Sequence, residues 1–488
     1  MCSFLVTSFI LTAAVLKHAN YYLRHRGPDY TNLDTEKGWT FVHNLLSMTG
    51  NFTTQPFFSS DRSVVAVYNG EIYNYNNLGL GDFPSDGYAI LPTYQKYKSR
   101  FAQHFNGEYA IILTDFNIGR MYLVSDAFCT KPLWYAIWKD TKGNKQLATA
   151  SYQSALLRLG ADNKDCVFIH PNTMVTININ SYEVVSSRYI IHWDLTQYKT
   201  HTLDWERAFE RAVARRTRGV KHRIFIGLSE GYDSGAIMLA LARAQVNFMS
   251  YTILGKENPH IIERRVDFGK NSLPNGNFMP CIVFPNDISA NDEKMWLEIH
   301  SEPYTYGHDT SRPMRVTDDK ASWGLSHILS RVRGRGGLIY LSGSGADEIM
   351  SDYAVNGKKI FKHSSFNGIF PHNLKEIFPW HSFYLGTQRD YLMKEELVGG
   401  AHGIESRYPF LDPEVVQEFL WLNETLKNSL YKKPLADYLT KYSFAFRNNS
   451  KIGFNLKPKK ESFSKSREGT ITKLKGLSIC SDTLSAHI

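Results

Sequence analysis

Cysteine is scarce in this chain and badly placed for any cross-linked framework. Five are spread over 488 residues (Cys2, Cys129, Cys166, Cys281 and Cys480), an odd number with no Cys-x-x-Cys pair. That excludes a disulfide scaffold and a structural zinc site, and it suits a reducing, cytoplasmic compartment. Long hydrophobic runs are missing as well. The best of them, Phe4 to Leu16, covers thirteen residues, against the roughly 20 that a bilayer requires. Nothing charged precedes it except the terminal amine, and its first lysine, Lys17, follows it, the reverse of an export signal. The run therefore reads as a buried strand leading into a short helix, with no membrane partner. Internal repeats are absent, and charge of one sign is not in large excess: 56 basic and 47 acidic residues leave a formal +9. The basic excess gathers in RAVARRTRGVKHR (211–223), SRVRGRGG (330–337) and the stretch 457–476. This pattern reads as solvated surface with a mobile basic tail, not as a nucleic-acid footprint.

What is present is ample apolar material, 43% of residues with 14% aromatic, on a chain too long for one core. Up to about residue 190, β-branched and aromatic runs such as VVAVYNGEIYNY, GEYAIILTDF and TMVTININ are separated by Asn, Gly and Asp, the pattern of antiparallel sheets. From about 200 the texture changes. LDWERAFERAVARRTRG reads as an amphipathic helix and RIFIGLSEG as a buried strand entering a loop, the grammar of a parallel α/β domain. GKNSLPNGNFMP (269–280) reads as a surface loop.

Three places carry chemistry. In LSEGYDSGAIMLALARA (228–244), small residues stand at a strand-to-helix turn, where backbone N–H groups and the helix dipole can cradle an anion. The turn lacks the lysine of a Walker A loop and so suits a leaving pyrophosphate; the plain alternative is an ordinary turn. GLIYLSGSGADEIMSDY (337–353) repeats the pattern. Asp233 and Asp347 would thus each follow the C-terminal end of a parallel strand, where open α/β sheets place ligands. Two carboxylates facing a triphosphate imply Mg²⁺, unless they are unrelated helix caps. The third place is Cys2. Once an initiator methionine is removed, its thiol sits beside a free α-amine whose ordinary pKa is about 7.7 to 8.0, a nucleophile and base in one residue. The plain reading is a small buried hydrophobe.

Taken in order, Cys2, RHRGPD (24–29), VYNGEIYNY (67–75), SD (85–86), KPLWY (131–135), LSEGYDS (228–234), SGSGADE (342–348), GIESRYPFLD (403–412) and SKIGF (450–454) resemble the asparagine synthetase family. Its members join a class II glutamine amidotransferase to an ATP-dependent synthetase. The resemblance implies an αββα sandwich over 1–190, a doubly wound nucleotide-binding domain over 200–455 and a basic tail over 456–488. It makes Cys2 the nucleophile that frees ammonia from glutamine, Asn69 and Gly70 the oxyanion donors, and Glu71, Asp86 and Met48 the glutamine pocket. For the second site it implies ATP held at Leu228, Ser229, Gly231, Asp233, Ser234, Ile253, Ser342 and Gly343. Mg²⁺ would sit on Asp233 and Asp347, the acceptor would lie by Ser344 and Glu348, and Lys451 would offset charge as an acyl-adenylate forms. The expected partners are small molecules, namely glutamine, ATP and a carboxylic acid, and a homodimer is the candidate assembly.

Three departures from the family pattern matter. Leu45 stands where an arginine is expected to clamp glutamine's carboxylate. Glu230 replaces a glycine of the pyrophosphate loop, where a carboxylate would repel phosphate unless it turns away or finds a cation. Ser344 replaces a glutamate beside the acceptor, so aspartate is not the expected acceptor unless another acid, such as Glu302 or Glu405, compensates. Two rivals follow from these changes: an amide ligase of the β-lactam synthetase type with a silent glutaminase half, and a non-catalytic nucleotide-binding descendant.

Overall fold

Antiparallel pairing dominates the first part of the chain. The structure, a computed structural model, describes residues 1–307, 313–355, 357–362, 364–447 and 465–477. One six-stranded sheet runs Cys166–Phe168, Trp134–Lys139, Lys145–Ala150, Ser3–Thr7, Trp39–Leu45, Tyr30–Glu36, and a second runs Glu183–Tyr189, Thr173–Asn178, Arg120–Ser125, Gly107–Asp115, Val64–Ile72, Phe57–Phe58. Their inner faces meet through Phe4, Phe41, Val65, Val67, Ile112, Leu123, Leu147 and Ile177. Helix Ile90–Tyr97 packs Ile90 and Tyr94 on the outer face of the second sheet. Helices Ala13–Ala19 and Gln153–Arg158 cover the first, with Ala19, Ala155 and Leu156 buried. This is the expected αββα sandwich. Because its central strands are covered on both faces, VVAVYNGEI and GEYAIILTD are almost continuously apolar instead of alternating. The opening run forms the expected strand, Ser3–Thr7, and short helix, Ala13–Ala19.

The second part is a five-stranded, all-parallel sheet in the order Phe278–Val283, Phe248–Ile253, Arg223–Gly227, Gly337–Leu341, Glu405–Arg407. The sheet starts in its middle and is wound outward both ways, so the turns after Arg223–Gly227 and Gly337–Leu341 lie side by side at the switch point, where such sheets open a crevice. Helix Leu203–Thr217 buries Trp205, Ala208, Phe209, Ala212 and Val213 at three- and four-residue spacing, alongside Ala236 and Leu239 of helix Tyr232–Arg243. Helix Lys320–Arg333 covers the opposite face, placing Leu329 and Val332 with Phe225 and Met249.

Three expectations are corrected here. The 269–280 segment is mostly regular: helix Pro259–Ser272 takes its start and strand Phe278–Val283 its end, because Phe278 fills the space beside Gly269. The basic tail is in part docked, as helix Lys465–Gly476 lies against Pro259–Ser272 with Lys473 Nζ 2.9 Å from Glu263 and Leu474 buried. The basic run at 211–223 is not all solvated. Arg216 is buried, donating to Glu108 Oε1 at 2.7 Å and Asp412 Oδ2 at 2.8 Å. Glu108 also accepts from the Tyr408 N–H at 2.8 Å. Lys131 reaches from the sandwich to Glu396 at 2.9 Å and the Ser406 carbonyl at 2.7 Å. Periodicity cannot separate an exposed arginine from one whose carboxylate partners lie hundreds of residues away. Buried charges persist only when so paired.

Candidate functional site

Strand Ser3–Thr7 pairs with Trp39–Leu45 in the register Ser3↔Asn44, which carries Cys2 to the sheet end beside Leu46. Its Sγ receives the Leu46 N–H at 3.4 Å and donates to the Leu46 carbonyl at 3.7 Å. Cys2, Met48, Gly70, Glu71 and Asp86 line one cavity, together with Leu45 and Glu405. Asn69 lies beside it on strand Val64–Ile72, fully buried, and neither atom of its side-chain amide has a hydrogen-bond partner. An orphaned buried amide is costly unless a ligand meets it, and it suits an oxyanion donor. Gly70 must be glycine: its φ is +128° and a Cβ would stand 1.9 Å from the Glu108 carbonyl.

The rest of this pocket is less hospitable. Its volume is about 30 Å³, room for one or two waters, and none of its lining residues is basic. Asp86 already accepts from Tyr68 Oη at 2.5 Å and from the N–H groups of Ile72 and Gly87 at 2.8 and 2.9 Å. Glu71 accepts from Thr49 Oγ1 at 2.7 Å and meets Arg407 Nη2 at 3.1 Å. Burial lifts the Cys2 thiol to about 12, and Glu405 and Glu71 add to the rise while the nearby N-terminus opposes it. Leu45 is buried with no cation in the place of the missing arginine.

At the switch point of the parallel sheet, the two expected turns do meet. Asp233 opens helix Tyr232–Arg243 and Asp347 lies in helix Ala346–Met350, and a Cβ on Gly343 would come within 3.0 Å of Asp233 Cβ. Leu228 and Ile253 stand at the ends of neighbouring strands; Ser229 and Ser234 hydroxyls lie 2.9 Å apart. Between the two aspartates sits a residue that motif reading missed. Lys432 Nζ is 2.6 Å from Asp233 Oδ1 and 2.9 Å from Asp347 Oδ1, and Tyr431 Oη donates to Asp347 at 2.8 Å. Two carboxylates that share one cation position, with phosphate oxygens to complete the shell, fit Mg²⁺. Among the described residues no three His, Cys, Asp or Glu side chains gather as a metal site. Lys451 lies outside the described residues.

Glu230 is 2% exposed and has found a cation, Arg447 Nη1, at 3.1 Å. Glu348 is engaged within the protein: its carboxylate receives the Gly345 N–H at 3.0 Å and the Tyr353 hydroxyl. The carboxylate absent at Ser344 is supplied from elsewhere, though not by Glu302, which binds the Ser154 N–H at 2.8 Å, nor by Glu405, which pairs with Arg407 at 2.6 Å. It is Glu395, on helix Gly386–Ala401, that accepts from Ser342 Oγ at 2.6 Å and Ser344 Oγ at 2.9 Å. Burial raises it to about 7 against the pull of the two hydroxyls and Lys394. No spacing signal could have found it; the two adjacent acids of KEEL (394–397) were the one hint.

Residues 1–170 match the glutamine amidotransferase domain family. The glutamine-hydrolysing asparagine synthetase of Sandersonia aurantiaca is 24% identical, covering 81% of this chain and 72% of its own length. Asparagine synthetase 2 of Bacillus subtilis is 22% identical over 86% of this chain and 67% of itself. Amidase chyE of Penicillium rubens is 29% identical over 69% of this chain and 55% of itself. Among solved structures, glutamine PRPP amidotransferase from B. subtilis aligns with 58% of this chain and 81% of its own at a TM-score of 0.31 and 13% identity.

Proposed function

We propose that this chain, which resembles the glutamine-hydrolysing asparagine synthetases over most of its length, is an ATP-dependent carbon–nitrogen ligase that takes ammonia from glutamine and forms an amide on a carboxylic acid. The observation that carries the reading is the meeting of Asp233 and Asp347 on Lys432 at the sheet's switch point, in the same chain as Cys2 beside an unpartnered Asn69 amide.

In the sandwich, Cys2 Sγ attacks the glutamine side-chain carbonyl and the residue's own α-amine takes the thiol proton. Asn69 Nδ2 and the Gly70 N–H receive the oxyanion, the α-ammonium returns the proton to the departing nitrogen so that ammonia leaves, and water then hydrolyses the glutamyl thioester to release glutamate and free Cys2. In the second unit the Ser229–Ser234 loop holds the pyrophosphate portion of ATP, with Lys432 offsetting its charge. A Mg²⁺ on Asp233 and Asp347 would supply further positive charge there. Activation as an acyl-adenylate gives the acceptor a leaving group, AMP, which ammonia displaces. Lys451 is carried as a charge-neutralising residue on motif grounds. No helix among the described residues is long and apolar enough to cross a membrane, and the substrates of this reading are small molecules.

Glu395 restores a carboxylate beside Ser344, which removes the ground for excluding aspartate and points to an acceptor that carries an ammonium group. The test is AMP release with glutamine, ATP and Mg²⁺ over a panel of carboxylic acids with and without an α-amino group; turnover confined to acids lacking one would sink this part of the reading. Glu395→Gln should raise the acceptor's KM roughly 10- to 100-fold, the worth of one charge-assisted hydrogen bond. Because Glu395 loses its proton near pH 7, the wild-type KM should fall as pH rises towards 7 and level off above it. Glu395→Gln should flatten that profile.

A second reading is favoured by the narrow, cation-free pocket at Cys2: a ligase whose amine comes from the acceptor itself, with a silent glutaminase half. Amide formation that ignores glutamine would support it.

A further inference from the structure

The backbone of the 228–231 loop is held from behind. Arg265, fully buried on helix Pro259–Ser272, donates to the carbonyls of Ser229, Glu230 (3.2 Å) and Gly231 (2.8 Å), and through Nε to the Ala445 carbonyl (2.8 Å). With three consecutive carbonyls fixed to one guanidinium, the loop's N–H groups point the other way; those of Ser229 and Gly231 are met within the loop by the hydroxyls of Ser234 (3.1 Å) and Ser229 (3.2 Å), which a ligand can displace by rotation. The N–H between them is held by a carboxylate. The Glu230 N–H donates at 2.7 Å to Glu257 Oε2, and Glu257 lines the same cavity as Ser229, Gly231, Asp233, Asp347 and Lys432.

We infer that Glu257 is an internal stand-in for phosphate, a carboxylate seated in the pyrophosphate cradle that a nucleotide must expel in order to bind. The inference rests on the reading of this loop as a phosphate site and adds a residue that sets its affinity. Three features support it. The carboxylate takes the kind of backbone donor that a phosphate oxygen would use, and a phosphate cannot share that donor at hydrogen-bond distance without placing two anions in contact. The cavity measures about 80 Å³, so a triphosphate needs something to leave. Glu257 is also poorly compensated: burial and the charge of Glu230 lift its carboxyl to about 7, while the Glu230 N–H, Arg265 and Arg447 pull the other way. Glu230 reinforces the arrangement, since its Oε1 holds Arg447 at 3.1 Å while Oε2 is buried with no hydrogen-bond partner. A cation that could meet phosphate is thereby held by protein. The glutamate at 230 thus does not abolish the cradle; its backbone offers the donor and Glu257 fills it.

The sign of the effect separates this role from a structural one. If Glu257 merely braced the loop, removing it would loosen the cradle and weaken binding. If it competes with phosphate, removing its charge strengthens binding. The experiment is calorimetric titration of the full-length chain with inorganic pyrophosphate and, separately, with ATP and Mg²⁺. It compares wild type, Glu257→Gln, which keeps the shape and an acceptor oxygen, and Glu257→Ala, with thermal melts to show that each is folded. Both variants should bind pyrophosphate about tenfold more tightly than wild type, the scale of one charge-assisted hydrogen bond, and Glu257→Ala at least as tightly as Glu257→Gln. Equal or weaker binding by both folded variants, with wild type binding measurably, overturns the inference and leaves the phosphate site standing. Failure of all three proteins to bind either probe overturns both.

Discussion

Cys2→Ala is expected to abolish glutamine hydrolysis, by about a thousandfold or more, since no other group in the pocket can replace the nucleophile. Synthesis driven by added ammonia should continue at close to the wild-type rate, because the nucleotide crevice is a separate site. Processing should matter as much as the thiol. With Met1 in place, the α-amine belongs to the wrong residue. Met1 is itself buried, its sulfur 3.1 Å from Arg26 Nη2, and burial lowers its amine to about 5. Under those conditions burial raises the thiol to about 12, which keeps it protonated at neutral pH. A chain with an N-terminal extension should therefore be as inactive towards glutamine as Cys2→Ala. Intact-mass measurement reports loss of Met1, and ammonia release reports activity. Hydrolysis by Cys2→Ala at the wild-type rate would remove Cys2 from the mechanism. Absence of hydrolysis from a correctly processed wild type would instead establish the silent-half reading.

Lys432→Met should destabilise the metal-free protein by about 3 kcal/mol, because deleting one partner of a buried ion pair leaves its charges uncompensated. Here the ammonium serves two carboxylates, Asp233 and Asp347, and is itself buried. Opposite charges hold Lys432 firmly protonated despite its burial, so the loss should be present across the neutral range. Millimolar Mg²⁺ should raise the melting temperature of Lys432→Met more than that of wild type, since the ion would then take the place of the ammonium between the two aspartates. Both effects are read by thermal and denaturant unfolding without substrate. A variant as stable as wild type, or one indifferent to Mg²⁺, would mean that the two carboxylates do not form a cation site. ATP-dependent AMP formation should fall as well, because Lys432 bridges the two turns.

Much was legible in the sequence because it rests on short-range rules. The change from alternating aromatic strands to helix–strand–helix units identified an antiparallel sandwich followed by a parallel sheet. The compact motifs around Cys2, Asn69, Asp233 and Asp347 each lie within a few consecutive residues, so they can be recognised as text. The long apolar strands Val64–Ile72 and Gly107–Asp115 fit as well, once both of their faces are covered.

What only the tertiary structure decided concerns residues whose partners are distant in sequence. Arg216 looks like part of a solvated basic run, yet Glu108 and Asp412 bury it. Glu348 carries a family role in its motif, but Tyr353 and the Gly345 N–H claim its carboxylate. The charge missing at Ser344 returns from Glu395, 51 residues on. Lys432 and Glu257 belong to no recognisable motif and are what fill the crevice. The physical reason is common to all five. A backbone turn is dictated by its own residues, but the charge state and availability of a buried side chain are set by whichever charges and hydrogen-bond donors the fold brings within about 3 Å, and in a low-dielectric interior those few contacts outweigh every local preference.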